Sequence, residues 1–221
     1  MKRLIPIFGF VLGASLFDAA AFAGSVLDGT GVGGGHIQVP ASDQPRTALS
    51  ASAREDAASL KEIYSNFNSD EAALYDCCNV WVVSTARSDF HARYTLAMAF
   101  TPARDAVVRR IQLGLSSVSG NNALSVSLHA DEGGMPGKAL QTFLLTDIPP
   151  EGNCCEVEAA GPVDTLVRKG RTYWVVAKAS ANTEAGWNFN SVGASGPFAF
   201  NTGEGWQIRD YPLGAFRVLG E

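Results

Sequence analysis

Short segments in which apolar and polar residues alternate dominate the chain after residue 60. The clearest is "ALSVSLHAD", in which every second residue from Leu124 to Leu128 is aliphatic and the residues between them are serines. Successive side chains of a strand point to opposite faces of a sheet, so this pattern predicts a strand with one buried face. The same alternation occurs at 94–100, 110–118, 140–146 and 171–179. Shorter candidate strands are "CCEVEA", "WNFNS", "PFAF", "WQIR" and "AFRVL".

Turn-forming residues separate these segments and set the fold class. Glycine, proline, asparagine and aspartate cluster in "SGNN", "DEGGMPG", "DIPPEGN" and "TGEG", and no long segment has the 3.6-residue period of a helix. About ten short strands with turn residues between them are typical of an antiparallel all-β domain. We therefore predict an all-β fold, an antiparallel two-sheet β-sandwich that is jelly-roll-like, with a β-barrel as the alternative.

The first 60 residues have a different character. Lys2 and Arg3 precede an apolar segment at 4–17 and the small-x-small sequence at 21–23, which predicts a signal peptide over 1–23. The apolar segment is shorter than the ~20 residues that a membrane-spanning helix needs. Residues 24–60 are rich in Gly, Ala, Ser and Asp and lack aromatic residues. We predict a flexible linker there, followed by one β-sandwich domain over 61–221.

Net charge narrows the possible partners. The 221 residues carry a formal net charge of −5, and no run of basic residues occurs. A mildly acidic chain offers no electrostatic footprint for nucleic acid. No second stretch of 18 or more apolar residues follows the N-terminal one, so we expect no membrane span after signal cleavage. The expected location is secreted, periplasmic or at the cell surface.

The four cysteines form two adjacent pairs, Cys77–Cys78 and Cys154–Cys155. An even number of cysteines in an exported chain predicts disulfides before metal. Zinc sites use Cys-x-x-Cys spacing, whereas adjacent strand residues point to opposite faces. The pairs either bridge to each other or form two vicinal rings. We favour bridging between the pairs.

Seven segments of the sequence, taken in their order along the chain, carry a resemblance to a known family. They are "EIYSNFNSD", "LAMAFTPA", "IQLGLSSVSGNNALSVSLHADEGGMPGKAL", "LTDIPPEGNCCEV", "GRTYWVVAKA", "WNFNSVGASGPFAFNTGEGW" and "LGAFRVLG". Together they resemble the choice-of-anchor R domain of exported bacterial proteins, over roughly residues 63–220. The resemblance implies a secreted or surface β-domain and supplies no catalytic residue. Unlike the family, this sequence has no hydrophobic tail after the last segment, which leaves the means of attachment open.

No catalytic motif is present. The three histidines, at 36, 91 and 129, lack a Gly-x-Ser-x-Gly or His-Glu-x-x-His context. Asp131 and Glu132 lie in a turn, where Asp commonly caps its own backbone, with a calcium site as the alternative. A glycosidase-type pair of carboxylates is still an alternative, because two such residues can be close in space while distant in the sequence. We expect no catalytic residue, no metal and no cofactor.

Aromatic residues supply the candidate ligand-binding site. Trp187 and Trp206 follow glycine-containing turns and neighbour amide side chains, and Tyr211 lies close to Trp206 in the sequence. Rings beside amides are typical of a sugar-binding face, and packing at sheet ends is the alternative. We therefore expect an exported non-catalytic β-sandwich domain with a surface, matrix or adhesion role. The alternative is a carbohydrate-binding module or carbohydrate-active enzyme, with a glycan or cell-envelope component as partner. The sequence does not indicate an oligomeric state.

Overall fold

A computed structural model describes residues 60–70, 73–152 and 156–221. The predicted signal peptide and all but the last residue of the predicted linker therefore lie outside the described residues, as do Cys154 and Cys155. Thirteen strands are present among the described residues. They are β1 (Lys61–Ser65), β2 (Asp76–Ser84), β3 (Thr95–Phe100), β4 (Ala106–Leu113), β5 (Leu115–Ser119), β6 (Ala123–Asp131), β7 (Pro136–Thr146), β8 (Val157–Val167), β9 (Tyr173–Ala179), β10 (Glu184–Phe189), β11 (Ser195–Asn201), β12 (Trp206–Pro212) and β13 (Phe216–Gly220).

Antiparallel pairing joins these strands into three sheets. The largest has six strands in the order β12-β11-β3-β9-β6-β7. The other two have the orders β1-β13-β4-β8 and β2-β10-β5. The ladders between neighbouring strands are antiparallel throughout. The prediction of an antiparallel all-β sandwich is confirmed.

The two smaller sheets are connected at Gly114, where β4 ends and β5 begins. Its carbonyl accepts hydrogen bonds from the backbone N–H of Asn188, at 2.8 Å, and from the Asn188 side-chain amide, at 2.9 Å. A Cβ atom at this position would lie 3.0 Å from the Tyr75 ring. The predicted strand at 110–118 is thus divided in two, because the chain changes sheet where only a glycine fits closely against Tyr75.

One apolar core lies between the sheets. Its buried members come from all three, including Met98 of β3, Ile111 of β4 and Trp187 of β10. In β6 the aliphatic side chains of Leu124, Val126 and Leu128 are buried in this core, as their alternation predicts. Burial of these side chains supplies the main stabilisation of the fold.

The cysteine pairs are only partly visible. Cys77 is the only cysteine whose side chain the structure describes, so no disulfide is seen between described side chains. The Cys77 side chain packs against a small cluster that contains Phe67 and Tyr75. Disulfide formation by the four cysteines, and its connectivity, stay a prediction.

Candidate ligand-binding face

The outer face of the six-stranded sheet carries a row of side chains that the strand register aligns across all six strands. Ile208 of β12 pairs with Ala199 of β11, which pairs with Ala97 of β3. Ala97 in turn pairs with Val176 of β9, and the row continues through Ser127 of β6 to Thr142 of β7. Neighbouring strands lie about 4.8 Å apart, so the row is about 24 Å long. We call this surface the outer face.

Small side chains make the middle of the outer face shallow. Ala97, Ala199 and Val176 are at most 3% exposed, and the half-buried rings and chains of Trp206 and Ile208 pack against them. Trp174 belongs to the same cluster and is fixed by a hydrogen bond from its indole N–H to Asp131 Oδ1, at 2.8 Å. The floor is therefore a packed second cluster, which a ligand would meet as a rigid surface.

A cleft of about 400 Å³ opens on this face beside Trp206. It is lined mainly by polar side chains from β3, β6, β7, β9 and β11. The lining residues are Arg93, Thr95, Ser125, Ser127, His129, Ala139, Thr142, Val176, Lys178, Asn201 and Trp206. Small-ligand sites usually have apolar and aromatic walls with a few placed polar groups, and this cleft is more polar than that, with Trp206 as its one large aromatic side chain.

Trp206 is positioned by the turn that connects β11 to β12. Gly203 and Gly205 in this turn adopt positive φ angles of 118° and 105°, which residues with a side chain rarely adopt. The Oδ1 atom of Asn201 accepts a hydrogen bond from the Gly203 N–H at 2.7 Å. Since Asn201 pairs directly with Trp206 in the ladder, this bond ties the turn to the strand residue beside the ring.

Several polar groups of the cleft have no partner within the described part of the chain. They are the guanidinium of Arg93, the ammonium of Lys178, the hydroxyls of Thr95 and Thr142, and the Nδ2 group of Asn201. Groups that the protein does not satisfy itself are available to a ligand, because only water competes for them.

His129 is held in one tautomer by its two hydrogen bonds. Its Nδ1 atom donates to the carbonyl of Gly137 at 2.7 Å, because a carbonyl can only accept. In the neutral ring Nε2 is then an acceptor, and the Ser127 hydroxyl, 2.9 Å away, donates to it. Burial of the ring lowers the pKa of His129, against a smaller opposite effect of the Gly137 carbonyl. The histidine is therefore neutral near pH 7.

Trp187 does not belong to this face, which corrects its place in the candidate binding site. Its side chain is 0% exposed, and its indole N–H donates to the Ala215 carbonyl at 3.0 Å. Its ring packs edge-on against Phe216, with 6.1 Å between the ring centroids. Trp187 is a core residue, which is the packing alternative that the sequence left open.

Tyr211 lies on the other side of β12 from Trp206. Its ring is half-buried and stacks on Trp81 at 5.5 Å, close to Phe198 at 5.9 Å. Residues 206 and 211 are five positions apart, so strand alternation sends their side chains to opposite faces. Of the three aromatic residues predicted to form a site, only Trp206 is at the cleft.

Asp131 and Glu132 are used inside the protein. The Oδ2 atom of Asp131 accepts from the Gly134 N–H at 3.0 Å, and Glu132 Oε1 accepts from the Lys138 N–H at 3.1 Å. Asp131 thus caps its own turn, as the sequence predicts. Across the described residues, no group of three His, Cys, Asp or Glu side chains could hold a metal ion.

A second cavity, of about 490 Å³, lies at one end of the six-stranded sheet. Its lining includes Asp131, Leu166, Arg168 and Tyr173. Arg168 pairs with Asp105 at 2.8 Å, and Asp131 is bonded to Trp174 and Gly134. These two groups are already paired, whereas Arg171, which also lines the cavity, is not paired within the described residues. The cleft beside Trp206 is the better candidate site because it combines a half-buried aromatic ring with several polar groups that lack partners in the described chain.

The sequence allowed some of the residues that line the cleft to be predicted, but not others. The alternation in β6 correctly assigns Ser125, Ser127 and His129 to a polar face. Arg93, Lys178 and Asn201 were missed, because nothing in their local sequence indicates that β3, β9 and β11 are neighbours. Only the strand order brings them to Trp206.

Within the part of the chain that the structure describes, no helix is long and apolar enough to cross a membrane.

Comparison with known proteins gives no relative. No family model, no curated protein and no solved structure matches this chain.

Proposed function

We propose that this chain is an exported, non-catalytic β-sandwich module that binds a saccharide on the outer face of its six-stranded sheet. The observation that carries the proposal is the half-buried ring of Trp206 beside a cleft of polar groups without internal partners. Export is part of the proposal and rests on the predicted signal peptide and on the resemblance to the choice-of-anchor R domain.

The chemistry of a sugar suits this arrangement. A pyranose has apolar C–H faces that stack on an aromatic ring, and hydroxyls at its rim that both donate and accept hydrogen bonds. Trp206 offers the ring, while Thr95, Thr142 and Asn201 offer hydroxyl and amide groups. Because these side chains project from paired strands, they are positioned before the ligand arrives, which reduces the entropy lost on binding.

Binding fits the cleft better than hydrolysis. Glycosidases act through a pair of Asp or Glu side chains that flank the bond to be broken. No aspartate or glutamate is among the residues that line the cleft in the described part of the chain. The neutral His129 is bonded on both ring nitrogens, so neither nitrogen is free to accept a proton from a substrate.

The proposal is tested by a glycan array and by titration of the purified chain with the glycans that it retains. We expect Trp206→Ala to weaken binding about tenfold, because the stacking surface is lost. Trp206→Phe keeps a ring and should lose less. Val118→Ala, which removes a 43%-exposed side chain from β5 in the other layer, is the matched control and should bind like the wild type.

Two outcomes would contradict the proposal. If the folded chain retains no glycan, the saccharide-binding role fails and a purely structural surface role is the better explanation. If the chain binds a glycan and Trp206→Ala binds it equally well, the outer face is not the site.

A further inference from the structure

The two cations of the cleft lack the carboxylate partners that hold several other arginines of the described chain. Arg110, Arg168 and Arg217 each pair with a carboxylate at 3.0 Å or less. The side chains of Arg93 and Lys178 are exposed and pair with no carboxylate of the described chain. An unpaired arginine in a cleft keeps its full hydrogen-bonding capacity for a ligand.

Strand register places these two cations close to each other. Arg93 precedes Thr95 by two residues on the same side of the extended chain. Lys178 follows Ala177, which pairs with Leu96, so Lys178 lies across from Thr95 on the neighbouring strand β9. Both side chains line the cleft beside Trp206. The cations therefore share one end of the cleft, offset by one strand spacing across the sheet and by two residues along it, about 8 Å between their backbones.

The charge of this end is opposite to that of the whole chain. The protein carries a formal net charge of −5, yet the described lining of the cleft holds two cations and no carboxylate. The nearest acidic residue along the chain from Trp206 is Glu204, which makes no ion pair with Arg93 or Lys178. A local positive potential in an acidic protein favours the binding of an anionic group at this point. The rest of the acidic surface does not attract an anionic ligand.

We infer that the saccharide bound by the outer face is anionic, and that its carboxylate or sulfate lies between Arg93 and Lys178. This inference rests on the proposed function. The guanidinium of Arg93 can hold two oxygens of the anion side by side, and the ammonium of Lys178 adds a third donor. The sugar ring that carries the anion then stacks on Trp206, while Thr95 and Asn201 bond its hydroxyls.

Two pairs of polymers, each with a charged and a neutral member built on the same sugar backbone, test this inference. The first is polygalacturonate with its fully methyl-esterified form, and the second is dextran sulfate with dextran. Titration of the full chain should show at least about tenfold tighter binding to the anionic member of one pair. The pair that shows the preference distinguishes a carboxylate from a sulfate. Added salt should weaken the anionic binding more than the neutral binding.

Variants locate the effect. Arg93→Gln and Lys178→Gln should each reduce the preference for the anionic polymer about tenfold, because each removes a charge-assisted hydrogen bond. The readout is the ratio of the affinities for the anionic and the neutral member, so a general loss of binding is not counted as a loss of preference. The double variant Lys61→Gln/Lys169→Gln removes two exposed cations that do not line the cleft, and should keep the preference.

The outcomes separate this inference from the proposed function. Equal binding of charged and neutral polymers, with both weakened by Trp206→Ala, would overturn the anionic ligand and leave saccharide binding in place. A preference that survives in the Arg93→Gln/Lys178→Gln double variant would show that the anion does not bind between these two cations. If no polymer binds and the glycan array is also blank, saccharide binding itself fails, and this inference fails with it.

Discussion

The burial and the hydrogen bonds of His129 make its pKa differ between the folded and the unfolded chain. Protonation in the folded state would place a charge in a half-buried ring, and it would require the Ser127 hydroxyl to reverse its hydrogen bond. Burial therefore holds the pKa of His129 below its ordinary value of 6.5. The unfolded chain, in which the ring is solvated, binds the proton at higher pH than the folded chain does.

This difference predicts a dependence of stability on pH. Between pH 6.5 and the lower folded pKa, the unfolded state binds more protons, so the free energy of unfolding falls as the pH is lowered. Above pH 6.5 the contribution of His129 is constant. Urea denaturation between about pH 5 and pH 8 measures it. His129→Gln should remove this part of the slope, whereas His91→Asn, at an exposed position, should retain it. An unchanged slope in His129→Gln would show that another group titrates.

The segment between β12 and β13 passes closely over the Trp187 ring of β10. A Cβ atom on Gly214 would lie 2.6 Å from Cδ1 and Nε1 of the Trp187 ring. Trp187 cannot move away easily, because its N–H is bonded to Ala215 and its ring packs on Phe216. Gly214 thus allows the chain to pass over a large buried ring.

We therefore expect Gly214→Ala to destabilise the domain by about 1–3 kcal/mol, the usual cost of overpacking a core. Chemical denaturation measures the loss, and the melting temperature should fall by several degrees. Gly196→Ala is the control, because its nearest neighbour would be Leu213 Cδ1 at an ordinary 3.7 Å. Equal stabilities of the two variants would show that the Trp187 ring can shift.

The strands themselves were largely predictable, whereas their order was not. Period-2 alternation predicted β6 and the cores of β3, β7 and β9. In β7 the alternation reflects burial of one face, whereas β3 and β9 are buried on both faces. Trp187 and Trp206 have similar neighbours, yet one is in the core and the other borders the cleft. What separates them is the strands they pair with: β10 lies between β2 and β5, and β12 is an edge strand. Such long-range pairing leaves no local signal.

At the scale of the whole molecule, one cluster links distant parts of the chain. Cys77 packs against the cluster of Phe67 and Tyr75. The guanidinium of Arg217 lies 5.4 Å from the centre of the Phe67 ring and also bonds Glu156 at 2.7 Å. Glu156 directly follows Cys155 in the sequence. The described residues on either side thus connect the surroundings of the first cysteine pair with the residue next to the second.

This connection supports the prediction that at least one disulfide joins Cys77 or Cys78 to Cys154 or Cys155. Such a bridge would close a loop of about 80 residues and, by the chain-entropy model, stabilise the fold by about 4 kcal/mol. Peptide mapping under non-reducing conditions should recover peptides that join the two pairs, with no free thiol. Reduction should then lower the melting temperature by several degrees, and replacing all four cysteines with alanine should abolish this response to the reductant. Peptides linked only between Cys77 and Cys78 and between Cys154 and Cys155 would show two vicinal rings instead. One bound zinc per chain would replace the disulfides altogether.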